Sequence, residues 1–349
     1  MAKKLRIRML SSATSVEGQG VGSAYMEQVA LVKEQSDLFE VLEKGDKGKA
    51  DIYHVHTVNP NYRWKMKKSD CSVMYVHFLP TTLDGSIQMP KFAFNIFKKY
   101  VVSTYRKAKE IVVVNPIFKK PLMELGIKEE NITYIPNFVD SKDFHPLASD
   151  EVDMLKDQYG IPKGKFVIMG CGQVQTRKGV LDFVECAKRN PDKFFVWAGG
   201  FSFGKMTDGY EELKRVMDEP PENVKFLGIV PRKKMNEVFN CSDLLFMPSF
   251  AELFPMSILE ASNVKKPILL RDLELYEDIL FEDYAKATEV KGFDEQIKKL
   301  ASDPEYYKIY QEKSAHIASF YSKEHVASLW REYYPRIYAK FLESRKKGK

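Results

Sequence analysis

The chain has 349 residues, 44% hydrophobic and 29% charged, with a formal net charge of +6, values that suit two globular domains each large enough to bury a core. Cys71, Cys171, Cys186 and Cys241 are widely scattered, which argues against a zinc chelate or a redox pair and for a reducing compartment. No apolar run approaches the ~18 residues of a membrane span, and the N-terminal MAKKLRIRML, interrupted by Arg6 and Arg8, is too short in its apolar part for a signal peptide. The charge is uneven: residues 63–120 hold 12 basic and 3 acidic side chains, a local +9, and residues 336–349 hold 6 and 1, a local +5. Two basic zones on an otherwise acidic remainder point to one anionic partner surface.

Short apolar runs alternate with helix-length segments throughout. A strand is expected at 5–10, a glycine-rich turn at 18–22, a helix at 23–34, and strands at 52–56, 73–78, 111–114 and 132–135. After a polar linker near 141–160 the alternation restarts, with strands at 166–169, 194–198, 224–226, 244–247 and 268–270. Strands separated by helices predict parallel sheets covered on both faces, so the expected architecture is α/β with two Rossmann-like domains facing across a cleft. The expected limits are 1–145 for the first domain and 146–322 for the second. A last aromatic-rich helix, 323–349, is expected to return to the first. In such sheets ligands gather at the carboxyl ends of the strands.

Three loops there carry chemistry. Gly18-Gln19-Gly20-Val21-Gly22 stands between the first strand and helix, where glycines admit a close ligand or form a tight turn; it departs from G-x-G-x-x-G, so no dinucleotide is implied. Gly170 to Gly179 follows the first strand of the second set and includes Gln173, Arg177 and Lys178. It reads as a diphosphate cradle or as a solvated basic turn. Gly199-Gly200 follows the next strand and is either a close-approach loop or a plain turn. Further on, AELFPMSILE places Glu252 ahead of a helix and Glu260 inside it, with Phe254-Pro255 between; Pro255 suits a first helical turn. Two acceptors so spaced can grip two hydroxyl-bearing groups of one extended molecule, or simply be solvated.

These residues carry a resemblance. Lys178-Gly179, Gly199-Gly200, Pro248-Ser249 and Glu252 through Glu260 stand in the order and spacing of the family 4 retaining glycosyltransferases, GT-B enzymes that use nucleotide sugars. Asp51 to His56, His77 and Pro136-Asn137 to Asp140 agree in the first half. The resemblance implies that Glu252 approaches the donor sugar, that Glu260 holds the ribose hydroxyls, that Lys178 meets the diphosphate, and that His77 sits by the sugar and the incoming acceptor. It implies Gly20, Gln173, Arg177, Gly199, Gly200, Phe254 and Pro255 as further donor contacts. Many members have Arg where this chain has Gln173, and Arg177 is expected to substitute. The strings MLSSATSVEGQGVGSAY, YVHFLPTTLDGS, WAGGFSFGKMTDGY and ELFPMSILEAS resemble the glycolipid synthases of Gram-positive bacteria. Those enzymes add a second α-hexose, galactose or glucose from a UDP-sugar, to monoglucosyl diacylglycerol, making the lipoteichoic acid anchor. No Asp-x-Asp occurs, so no metal cofactor is expected to bridge the diphosphate.

Residues 91–109, KFAFNIFKKYVVSTYRKAK, bear independently on a lipid partner. On a helical wheel Lys91, Lys98, Lys99, Arg106 and Lys109 fall within roughly 100° of arc, with Ala93, Ile96, Phe97 and Tyr100 opposite. Such a helix packs its apolar side on a sheet, rests its cations on an anionic membrane, or both. A cytoplasmic enzyme, peripheral on the inner face of the membrane, is therefore expected, with no nucleic-acid partner. The rival readings are a transferase to another envelope or soluble sugar, a nucleotide-sugar epimerase, and a lipid-binding protein with a vestigial site.

Overall fold

A computed structural model describes residues 3–13, 20–43, 45–80, 90–202 and 204–347. The chain divides into two compact units, Met1–Asp84, Met89–Phe138 and Lys323–Lys349 in the first and Val139–Ser322 in the second. The division falls at Phe138/Val139 rather than at 145/146. Asn137 is tied to the first unit, where its Oδ1 accepts from Tyr75 Oη at 3.3 Å, whereas the Phe144 ring packs edge-on against Phe239 of the second.

Unit one runs β1 (Leu5–Leu10), α1 (Gly20–Glu34), β2 (Phe39–Leu42), β3 (Ile52–Val55), α2 (Pro60–Lys68), β4 (Ser72–Val76), α3 (Lys91–Tyr105), β5 (Glu110–Val113), α4 (Lys119–Glu124) and β6 (Ile132–Tyr134). Its sheet is parallel in the order β2-β1-β3-β4-β5-β6. Every residue of β4 and β5 is buried, the mark of strands covered on both faces. Unit two runs α5 (Ser149–Tyr159), β7 (Val167–Cys171), α6 (Val180–Arg189), β8 (Phe194–Ala198), α7 (Tyr210–Asp218), β9 (Val224–Gly228), α8 (Arg232–Asn240), β10 (Leu244–Met247), α9 (Met256–Asn263), β11 (Ile268–Arg271), α10 (Glu277–Leu280), β12 (Ala285–Ala287), α11 (Val290–Ser302) and α12 (Pro304–Phe320). Its sheet is parallel in the order β12-β11-β10-β7-β8-β9. From β7 the chain steps outward through β8 and β9, then returns to the other side of β7 with β10. The reversal makes the β7/β10 junction the topological switch point, where the loops after both strands splay apart and leave room for a ligand.

Two edge strands escape sequence reading: β2, FEVL, is only four residues long and broken by the exposed Glu40, and β12, AKA, is only three and weakly apolar. The last helix, α13 (Lys323–Lys347), completes unit one. It buries Trp330, Tyr333 and Tyr334, anchors the Tyr334 hydroxyl on Gln28 of α1 and His54 of β3, and pairs Lys340 with the buried Glu110 at 2.7 Å. Because Trp330 is 1% exposed, Trp330→Ala should cost unit one about 3–5 kcal/mol. Trp64→Ala, at a side chain 56% exposed, should stay within about 0.5 kcal/mol. Urea unfolding followed by circular dichroism checks the pair.

Candidate active site

At the switch point of unit two, the loop after β7 tightens into a single 3-10 turn, Thr176–Lys178, and Gly179 then turns left-handed into α6. A side chain at Gly179 would have its Cβ 2.3 Å from the Pro248 carbonyl oxygen, so only glycine lets the β7 and β10 loops touch. That contact brings Lys178 to Glu252: Nζ donates to Oε1 at 2.5 Å, with the two side chains 11% and 5% exposed. Ion pairs this enclosed are costly unless each charge is met.

Glu260 lies in α9, 5% exposed, and accepts from Arg232 Nη1 in the first turn of α8. Burial pushes the Glu260 carboxyl upward, and the Arg232 guanidinium opposes that. Cys171 stands at the end of β7 within the field of all four charged groups, its thiol pushed up to about 12 by burial first and Glu260 next. The loops after β7, β9 and β10 thus place two carboxylates and two cations at one sheet edge.

The other expected donor residues have these surroundings. Gly199 sits at φ 150°, and a Cβ there would lie 1.8 Å from the Gly172 carbonyl oxygen; its open side is filled by the neighbouring loop. A Cβ on Gly200 would approach Ile229 Cγ1 at 3.1 Å. Phe254 turns its ring onto Tyr321 at 5.3 Å, so its side chain anchors the loop in the core. Pro255 is the residue before α9, not in its first turn. Gly20 opens α1, while Gly18 and Gln19 lie outside the described residues. Arg177 donates Nε to Gln175 Oε1 at 3.0 Å and Nη1 to the Ala251 carbonyl at 3.1 Å.

Sequence reasoning missed Arg232, although it follows Gly228-Ile229-Val230-Pro231 just past β9, where the same strand-end rule applies. It also missed Arg271, which braces the β10 loop by donating to the Pro248 carbonyl at 3.0 Å and pairing with Asp182. The buried Tyr276 hydroxyl was missed too; it feels the charge of Glu252.

In unit one, His77 follows β4, stacks with His56 and meets the Tyr75 ring at a tilt, and His56 stacks in turn with His54. His56 Nδ1 and His77 Nε2 lie 3.3 Å apart, and His54 Nδ1 and Tyr334 Oη 2.8 Å apart. Burial lowers the imidazoles of His54 and His77 to about 3 and holds His56 well below its usual value, with neighbouring histidines adding to the last. At neutral pH His77 is therefore a neutral donor and acceptor.

On α3, Lys91, Lys99 and Arg106 are exposed and Lys98 half-buried over the Phe94 ring at 4.7 Å. Lys98, Lys99, Val102, Ser103, Arg106 and Lys107 line a shallow depression. Arg106 also donates Nε to the Leu125 carbonyl at 2.7 Å. The apolar side does not simply pack: Ile96 is 54% and Phe92 77% exposed, and α3 buries only Val101, Thr104 and Tyr105. No helix among the described residues is long and apolar enough to cross a membrane.

Two parallel six-stranded sheets with flanking helices, one in each unit, are the architecture of the GT-B glycosyltransferases. A family model described as Glycosyltransferase Family 4 matches residues 30–143, and one described as Glycosyl transferases group 1 matches residues 151–316. The alpha-galactosylglucosyldiacylglycerol synthase of Streptococcus pneumoniae R6 is 43% identical over 96% of this chain and 90% of its own length. Among solved structures, sucrose-phosphate synthase of Thermosynechococcus elongatus superposes with TM-score 0.78 at 13% identity, covering 97% of this chain and 100% of the other. Anabaena HepE in complex with UDP-glucose gives 0.74 at 15% identity, covering 97% and 100%. The chain belongs to glycosyltransferase family 4.

The buried histidines make unit one acid-sensitive. Their unfolded counterparts take up protons near 6.5, so the unfolded state binds more protons as pH falls from 6.5 toward 3, and stability drops there. The slope is at most ~1.4 kcal/mol per pH unit for each histidine. Urea midpoints should be level between pH 7.5 and 7 and fall by pH 5.5, with His54→Gln flattening the fall.

Proposed function

We propose that the chain transfers a hexose, galactose or glucose, from a UDP-sugar to α-monoglucosyl diacylglycerol with retention, giving a dihexosyl diacylglycerol. The observation that carries this reading is the 43% identity, spread over nearly the whole length, to a synthase named for that glycolipid. The UDP-glucose complex of a structural neighbour supports the donor class.

The geometry of unit two suits the donor. Glu260, held by Arg232, offers its carboxylate to the ribose hydroxyls. Lys178 supplies positive charge to the diphosphate, and that charge matters most as UDP departs and negative charge grows. Glu252 spends one oxygen on Lys178 and has the other for a sugar hydroxyl, fixing the sugar in reacting geometry. The acceptor hydroxyl attacks C1 from the face the phosphate leaves. The C1–O bond to phosphate breaks as the new one forms, and the proton passes to the departing phosphate oxygen, so no separate base is required. Lys178 and the first-turn amides of α9 meet the diphosphate charge without a metal, so transfer should persist in EDTA. The role that the resemblance implies for His77, an imidazole kept neutral by burial, belongs to the same proposal.

The acceptor lies in a membrane, and the +9 zone of residues 63–120 offers attraction of up to ~1 kcal/mol per cation near an anionic leaflet. Exposed Phe92 and Ile96 beside Lys91 and Lys99 on α3 supply shallow insertion. The enzyme then works peripherally on the inner face of the membrane.

Radiolabelled UDP-galactose and UDP-glucose, each supplied with monoglucosyl diacylglycerol, should label a slower-migrating lipid with one donor. Free labelled sugar without lipid product would indicate an epimerase instead. Glu252→Gln, which keeps a partner for the buried Lys178, should lower transfer on the order of 100-fold with an unchanged melting curve. Lys98→Glu/Lys99→Glu/Lys107→Glu should weaken sedimentation with anionic vesicles and transfer to vesicle-borne acceptor, while sparing transfer to a short-chain acceptor in detergent.

A further inference from the structure

A chain of three side chains in the β7 loop has a forced polarity. Arg177 Nε donates to Gln175 Oε1 at 3.0 Å, and Gln175 Nε2 donates to Gln173 Oε1 at 2.8 Å. A guanidinium has no acceptor, so Gln175 must turn its oxygen toward Arg177 and its NH2 toward Gln173. Gln173 then has its oxygen engaged, and its NH2 is the end of the chain, without a hydrogen-bond partner among the described residues. Gln175 is 4% exposed, and the Arg177 guanidinium is held a second time by the Ala251 carbonyl, so both upstream members are fixed. Gln173 follows Gly172, where a Cβ would lie 3.7 Å from Lys178 Nζ, so the free amide belongs to the same small loop as the lysine.

We propose that Arg177 and Gln175 are positioning residues that present the Gln173 NH2 as a hydrogen-bond donor to the pyrophosphate of the nucleotide. This rests on the donor-site reading of unit two. Arg177 acts on the phosphate through two oriented amides and not as a direct ligand. The site thereby gains a neutral donor of fixed direction beside the Lys178 ammonium.

The test is binding of UDP and of uridine, by calorimetry or by competition, to the full chain and five variants. A hydrogen bond to a charged group is strong enough that its loss costs about tenfold or more in affinity. Gln173→Ala and Gln175→Leu should each raise the Kd of UDP by that factor, and their combination should raise it no further, because both remove one bond. Gln175→Glu should do more harm than Gln175→Leu: its carboxylate accepts from both sides, so Gln173 turns its NH2 inward and shows its carbonyl oxygen to the phosphate. Uridine binding should be unchanged in all of these. Lys178→Met controls the reading on which the inference rests. If Lys178→Met weakens UDP binding while Gln173→Ala and Gln175→Glu leave it intact, the relay is wrong and the donor site stands. If Lys178→Met also leaves UDP binding intact, the donor site falls and the relay with it. Equal weakening of UDP and uridine would mean a distorted pocket, and overturns the phosphate contact.

Discussion

Opposite charges at the switch point of unit two, Lys178 with Glu252 and Arg232 with Glu260, are the constraint around which the rest of that unit is arranged. Removing such groups from water is unfavourable unless each finds its partner, and a hydrophobic replacement is often the more stable choice. The surrounding structure accordingly goes to some length to hold them. Gly179 and Gly199 let loops cross with no side chain between. Arg271 ties the β10 loop to Asp182 and to the Pro248 carbonyl, and the Phe254 ring pins the far end of that loop against Tyr321. A site prepared in this way needs little rearrangement to receive a polyanionic ligand, which is what electrostatic preorganisation requires.

Unit one solves a different problem. It brings three histidines together at strand ends and keeps them neutral by burial, under a lid of Trp330 and Tyr334 supplied by the last helix. The price is acid sensitivity, and the return is a hydrogen-bonding imidazole at position 77 whose ring is fixed on two sides by His56 and Tyr75. The same unit carries the exposed α3, whose first turns stay off the core and show phenylalanine and lysine to the surroundings together.

The strands of both sheets and their grouping into two sets were legible from apolar runs alone, because β4, β5, β8 and β10 are buried on both faces and read as uninterrupted hydrophobic stretches. Two of the four edge strands, β2 and β12, were not: β12 is Ala-Lys-Ala, and its pairing with β11 is decided by the sheet and not by its own residues. For the site, Lys178, Glu252 and Glu260 could be picked out by spacing, but their partners could not. Arg232 is one basic residue among many until the fold sets it against Glu260. What the glycine at 199 makes room for was not legible: its missing side chain lets the Gly172 carbonyl approach. Nor was the packing of the Phe254 ring on Tyr321, a contact between residues 67 positions apart. Periodicity placed Ile96 on an apolar side, but whether a sheet lies beneath that side is a tertiary fact, and here it remains 54% exposed.

The central claim is that the donor nucleotide is held at the carboxyl edge of the second sheet by these buried charges. Hydrogen–deuterium exchange of the full chain with and without saturating UDP tests it most directly. The account predicts slowed exchange in the loops after β7, β8, β9 and β10, above all around residues 171–179 and 251–260. Protection concentrated on the basic depression of α3, with those four loops unchanged, would contradict it.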